Sequence, residues 1–438
     1  MDKNHNELGN DRLTETEVLE TEAASPEAAL IEKGTRRWSL FSSLRYAEYR
    51  YLWSGALLSN IGTWIQSVAL GLFVFQLTHS EFTLGLVNFS SSIPTLFLAL
   101  VGGIVADRYQ RRSLIIVTQV VQMLLALTLG ILISLHTANV ANIIIISLVT
   151  GIASSFGFPA WLSLIPELVP KKDLLNAVAL NSAQFNVARL IGPAIAGFII
   201  SLLGVAASFY INSLSFLAVI IALLLIKPPP IKIRKSEVSV WKNFTEGINY
   251  AKEHTSAAVL LICVGTLTTF GMSHTTLMPV YAIDILKTGA RGLGYLFAAT
   301  GLGAVTGALI VAGLTHIIPR RNLIKLGIFS YSILLLVFAF SKVFIISLLA
   351  QVGIGIAFLT TTSSINTSLQ LMAPTQIRGR VMSLFVWAFM GLFPIGSLIV
   401  GSLARLIGSP PTLAIGAAVL LITSAILYFR PQLLENVG

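Results

Sequence analysis

Arg189 stands where an arginine is expensive. It lies thirteen residues after Asn176 in an apolar stretch over 174–201. At about 1.5 Å per helical residue, that is roughly 20 Å into a bilayer core of about 30 Å. A cation there costs about 2.5–3.5 kcal/mol on insertion scales, so it must face a bundle interior, a water-filled cavity or a partner. At about 100° per residue, Asn181, Gln184, Ala188, Arg189 and Gly192 share an arc of roughly 140°, which makes one face of the helix polar and small. The nineteen acids fall in the tail, the loops or the helix ends, with Glu81 and Asp284 nearest the outer rim. Arg189 therefore bonds to polar neighbours such as Asn186 and Gln184, or it meets an anionic ligand carrying carboxylate, catecholate or phosphate groups.

Other polar residues sit inside apolar stretches: Asn60, Gln66, Asn88, Gln119, Gln122, Asn212 and Asn366. Each serves as a pocket contact or as interhelical glue. His274 is a proton carrier or a structural hydrogen-bonding group. Thr360, Thr361, Thr362, Ser363 and Ser364 can return their hydroxyls to their own helix. No catalytic constellation emerges. The histidines are scattered, HExxH is absent, and there is no glycine loop with lysine for nucleotide phosphates. Cys263 is the one cysteine, which excludes a disulfide framework and Cys-based metal sites. Neither a cofactor nor a metal is expected.

The elements that position these residues are membrane helices. Of 438 residues 55% are hydrophobic and 11% charged, far from the roughly 25% charged residues of a soluble chain. Twelve apolar segments fall at 50–77, 82–106, 113–136, 139–164, 174–201, 205–226, 256–283, 290–315, 322–341, 343–372, 380–407 and 411–429, each long enough to span. With an even number, both termini share one side. That side collects 24 of the 29 Lys and Arg, against Lys287, Arg291, Lys342 and Arg405 on the other, so the termini are cytoplasmic. The net charge of +10 is thus a topology signal, and nucleic acid is not expected as a partner.

Residues 1–35 hold nine acids against Lys3, Arg12 and Lys33 and read as a solvated tail. A bundle over 36–226 follows, then a linker at 227–254, a second bundle over 255–430, and a short end at 431–438. Trp241, Phe244, Ile248 and Ala251 make an apolar stripe suited to an interfacial helix. Trp38, Phe41 and Leu44 suggest another before the first segment. The halves show a repeat: Gly85, Arg111 and Arg112 match Gly294, Arg320 and Arg321 at an offset of 209, and Gly192 and Gly197 match Gly396 and Gly401 at 204. The fold class is all-α integral membrane, with twelve helices in two pseudo-symmetric six-helix bundles.

Between the second and third segments runs Gly103-Ile104-Val105-Ala106-Asp107-Arg108-Tyr109-Gln110-Arg111-Arg112. Gly102 and Gly103 should let these two helices approach closely. Asp107 sits at a helix C-terminus, where the macrodipole disfavours an anion, so it needs a compensating partner. The stretch resembles the loop 2–3 signature of the major facilitator superfamily, with Val105 for the usual Leu and Gln110 for a usual Gly. The resemblance implies that Asp107 latches onto the start of the eleventh helix, around Gln376 to Arg380. Asp107 as a mere topology and packing element is the other reading.

Gly192-Pro193-Ala194-Ile195-Ala196-Gly197 resembles the helix-5 motif of the drug–proton antiporters of that superfamily, with Ala188 and Ala196 at positions that commonly hold Gly. Ala188, Gly192 and Ala196 form one small-residue ladder, Gly303 and Gly307 another. Leu44 to Tyr46, Leu58 to Trp64 and Arg378 to Ser383 extend the likeness to the branch containing enterobactin exporters and macrolide efflux proteins. The fourth segment has Ser147 where that pattern places Arg. The resemblance implies a monomeric secondary transporter of a bacterial inner membrane, working by alternating access. Its cargo would be a bulky siderophore or amphipathic drug, its export driven by the proton gradient. Lysophospholipid flipping and nutrient uptake are the alternatives.

Overall fold

A computed structural model describes residues 39–226, 240–314, 317–435 and 437. The acidic tail, Trp38 and the start of the linker lie outside these, and so do the side chains of Asp107, Trp241 and Phe244. The described chain is helical. The first half comprises α1 (Ala47–Thr78), α2 (Glu81–Arg108), α3 (Arg111–Ser134), α4 (Val140–Leu168), α5 (Leu174–Leu203) and α6 (Val205–Leu225). A linker helix, Val240–Glu253, leads to α7 (Thr255–Ile285), α8 (Gly289–Leu314), α9 (Arg320–Phe340), α10 (Phe344–Met372), α11 (Arg378–Ile407) and α12 (Ser409–Phe429). Eleven helices among the described residues are long and apolar enough to cross a membrane, and α2 adds a helix of 28 residues.

Local chemistry explains the boundaries. Ser80 and Asn139 cap α2 and α4 through their side-chain oxygens. Gly204 and Gly408, at φ +81° and +86°, make the sharp joints from α5 to α6 and from α11 to α12. Two expectations change. The stretch before α1 is a short 3-10 strap, Ser39–Arg45, interrupted at Phe41, because its polar groups are taken by the start of α5. The segment 256–283 is not one regular helix: π turns at Leu267–Gly271 and Tyr281–Ile285 flank a 3-10 turn at Met272–Leu277. Pro279 cannot donate back to Thr275, and the Ser273 hydroxyl donates five residues back to Thr268 at 3.2 Å.

Within the first half α1 packs on α5 and α6, α2 on α4, and α3 on α4 and α6. In the second, α8 and α9 pack on α10, and α9 on α12. Two seams join the halves, α5 against α8 and α2 against α11. The buried apolar core divides unevenly. One continuous cluster takes in Leu72, Leu84, Ile143 and Phe209 together with Leu260, Leu296, Leu335 and Leu420 of the second half. A separate cluster of Tyr49, Leu52, Ala106, Ile115, Leu164 and Leu223 belongs to the first half at the linker end. The halves are thus fused at the end away from the linker and parted at the linker end.

Candidate transport site

Arg189 is placed by the α5–α8 seam. Pro193 has no N–H, so the Arg189 carbonyl loses its helical donor; it lies 3.0 Å from where a Cβ on Gly301 would stand. Gly294 abuts the Pro193 carbonyl oxygen, and Gly197 the backbone of Ala290 and Arg291. These are backbone-to-backbone crossings that only glycine permits. The α2–α11 seam repeats the device: a Cβ on Gly85 would lie 2.6 Å from the Ser397 carbonyl and 3.3 Å from the Gly401 Cα. The small-residue ladders instead serve packing inside each half. Gly192 meets Trp64 of α1, and Gly303 and Gly307 meet Val352 and Ile356 of α10.

The Arg189 side chain is half-buried, and among the described residues it has neither a hydrogen bond nor an ion pair. Its electrostatic neighbour is Tyr331 of α9, in the other half. Gln184, one turn away, is 2% exposed with its Oε1 unpartnered. Asn186 is committed to its own helix, donating to the Ser182 carbonyl at 2.9 Å, and Asn181 accepts from the Trp161 indole at 3.1 Å.

The remaining polar residues divide between glue and opening. Gln66 accepts from Asn212 at 2.7 Å, tying α1 to α6, and Gln122 donates to Ser154 at 3.2 Å. Asn88 donates to Thr276 at 3.2 Å, and Thr276 to Ser397 at 3.1 Å, so α2, α7 and α11 are cross-linked between the halves. Asn366 accepts from Gln370 within α10, and Asn60 is half-buried. Thr361 and Thr362 donate to Ala357 and Phe358 as expected of helix-bound hydroxyls, whereas the Thr360 and Ser364 hydroxyls are buried without partners. His274 is 1% exposed and walled in by Gly271, Gln351 and Tyr331.

At the linker end Gly102 abuts the Ser155 carbonyl of α4, not α3, and a Cβ on Gly103 would meet nothing within 4 Å. The turn after Arg108 uses ordinary negative φ at Tyr109 (−108°) and Gln110 (−63°), so no glycine is required. Arg111 pairs with Glu167 at the end of α4. Arg112 donates to the Leu223 and Leu224 carbonyls at 2.6 and 3.2 Å, a cation on the negative end of α6. Arg380 pairs with Glu246 of the linker helix.

A second cluster at this end has no signature in the sequence. Ser42 and Arg45 of the strap, and Tyr46 just after it, converge on Asp173 at 2.7, 3.1 and 2.7 Å, and Ser43 on Asn176. The bond to Asp173 is the chief reason the Tyr46 phenol is held above its ordinary pKa of 10.0. The partners are more than 120 residues apart, beyond any periodicity.

Long apolar helices in two halves that meet on glycine seams define a membrane transporter of the major facilitator type. The sequence matches the transmembrane secretion effector family over residues 38–435, and the chain belongs to that family. It is 27% identical over 384 residues to the staphyloferrin A transporter of Staphylococcus aureus, covering 87% of this chain and 95% of that one. It is 25% identical over 376 residues to the enterobactin exporter EntS of Escherichia coli, covering 84% and 88%. With the multidrug efflux pump Tap of Mycolicibacterium fortuitum it shares 23% over 392 residues, covering 87% and 95%. In fold it resembles a bacterial homolog of the human lysosomal transporter Spinster, inward-facing (TM-score 0.72, 14% identity, 90% of this chain and 98% of that one). It likewise resembles the nucleoside transporter NupG (TM-score 0.69, 14% identity, 89% and 99%). Membership places the chain among transporters and not enzymes.

Proposed function

We propose that this chain exports a bulky organic anion of the siderophore kind across a bacterial inner membrane. In this reading twelve helices form two six-helix bundles that rock about the glycine seams, exposing the central site to one side and then the other. The lysine- and arginine-rich linker end is cytoplasmic, so the state described here opens inward, and the proton gradient supplies the drive. The observation that carries the reading is Arg189, a cation inside the membrane layer between the halves that has no hydrogen bond or ion pair among the described residues. That relatives are named for staphyloferrin A and enterobactin supports the cargo class.

The test is a thermal-shift screen of the purified protein against catecholate and hydroxamate siderophores, macrolides and lysolipids. A ligand at 100 times its dissociation constant stabilises the fold by about 2.7 kcal/mol. A shift confined to anionic siderophores is expected. A shift with macrolides or lysolipids alone would replace this reading with drug efflux or lipid flipping.

A further inference from the structure

The face of α5 that carries Arg189 changes character along its length. At about 100° per residue, Ser182, Phe185, Arg189, Pro193, Ala196 and Ile200 share an arc of roughly 80°. Ser182 and Phe185 are exposed, Arg189 is half-buried, and Pro193, Ala196 and Ile200 are buried. A stripe facing lipid stays exposed as the helix continues. Ile191, Ile195 and Leu202 do so, and they lie about 120–160° round the helix from Arg189. The Arg189 face is therefore the wall of a cleft that opens towards the linker end and closes just past Arg189.

An aromatic pair stands on that wall. Phe185 is one helical turn from Arg189, which puts their Cβ atoms about 5–6 Å apart, and it is 48% exposed. Trp64 of α1 meets it edge to face, with ring centroids 6.2 Å apart and planes at 62°. Gly192 seats the indole: a Cβ on that glycine would lie 2.6 Å from the Trp64 Cβ. The Phe185 ring is thus braced on one flank and uncovered on another. No described arginine stands over it, Arg189 included.

An open ring beside a cation with no hydrogen bond or ion pair has the composition of a ligand site, an aromatic wall with one polar group to fix orientation. We propose that Phe185, braced by Trp64, stacks on an aromatic ring of the cargo while Arg189 takes an oxyanion carried by that ring. A carboxylate or phenolate on a stacked ring lies within about one helical turn of Phe185, and one turn separates Phe185 from Arg189. The site then selects an aryl carboxylate or catecholate over an aliphatic polycarboxylate, which has the charge but no π face. This rests on the anionic-cargo reading and adds to it a choice between classes of anion.

The test uses a matched pair of probes, benzoate and cyclohexanecarboxylate, titrated by NMR into the full-length protein. The two acids carry the same charge, and only the first has a π face. Phe185→Leu, Phe185→Tyr and Arg189→Gln are compared with the unmodified chain, and melting curves confirm that each variant is folded. The unmodified protein should prefer benzoate. Phe185→Leu should weaken benzoate roughly two- to tenfold, the range for an aromatic pair, and leave cyclohexanecarboxylate unchanged, while Phe185→Tyr keeps the preference. Arg189→Gln should weaken both acids roughly ten- to a hundredfold, the range for a hydrogen bond to a charged group. If Arg189→Gln weakens both but the unmodified chain shows no preference, or Phe185→Leu moves both acids equally or neither, the aryl subsite is wrong and the anionic-cargo reading survives. If Arg189→Gln weakens neither, or the unmodified protein binds neither acid, both readings fall.

Discussion

The guanidinium of Arg291, in the first turn of α8, stands over the ring of Phe198 in α5, 5.6 Å from its centroid, while its Nε donates to Ser201 at 3.0 Å. Arg405, near the end of α11, stands over Phe82 of α2 at 5.9 Å. Each inter-half seam thus carries one cation–π clasp at the end away from the linker, with both arginines on the second half and both rings on the first.

Removing the clasps should loosen that end. Such contacts contribute about 0.5–1 kcal/mol each at exposed sites, so Arg291→Ala with Arg405→Ala shifts the closed state by about 1–2 kcal/mol, roughly five- to thirtyfold. The readout is the labelling rate of a thiol at Thr276→Cys, a position 2% exposed, in a Cys263→Ser background. An unchanged rate would show that the clasps do not set closure.

The glycine crossings predict a contrast between two alanine variants. Gly294→Ala drives a methyl into the Pro193 carbonyl and should destabilise by about 1–3 kcal/mol, as overpacking does. Gly103→Ala meets open space and gains helix propensity of about 1 kcal/mol. Melting temperatures in one detergent decide it: equal shifts for the two would contradict the seam geometry.

Asp173→Asn should lower thermal stability more than Arg45→Ala. The carboxylate serves three donors and its side chain is 8% exposed, whereas the Arg45 side chain is 58% exposed and rehydrates when freed. The Tyr46 phenol, raised in the fold above 10.0, adds a pH signature. A raised value favours the protonated form in the fold, so its contribution is whole below pH 10 and is lost as pH rises through the folded value. Tyr46→Phe should flatten the alkaline limb of a melting-temperature profile; a limb unchanged in that variant would remove the strap from the account.

Arg189→Lys keeps the charge and loses the planar fork, so transport should fall on the order of tenfold, about 1.4 kcal/mol, while protein abundance holds. Normal transport by this variant would return Arg189 to a packing role.

Helix positions were legible because lipid demands long apolar runs, and every expected segment lies within a few residues of an observed helix. Arg189 stood out for the same reason: a lone cation in such a run needs a polar partner, a cavity or a ligand. What a glycine faces was not. Gly102 was read against its sequence neighbour α3 and meets α4, since periodicity gives a direction around a helix but not which helix waits there. The repeat pairs Gly85 with Gly294 and Gly197 with Gly401; the structure shows why, since Gly85 meets Gly401 and Gly294 meets Gly197. The breaks in α7 were hidden because Gly271 and Pro279 permit a distortion without requiring it.

At their glycine crossings the seams are bare backbone, and this separates two engineering problems. If the halves rock as proposed, a fulcrum of glycine against peptide has no side chains to mesh at these points, so it can turn without teeth. A recognition group such as the one proposed at 189 would then sit on a lever and could be exchanged without recutting the pivot. On that reading one pivot would suit cargoes as different as those the relatives are named for.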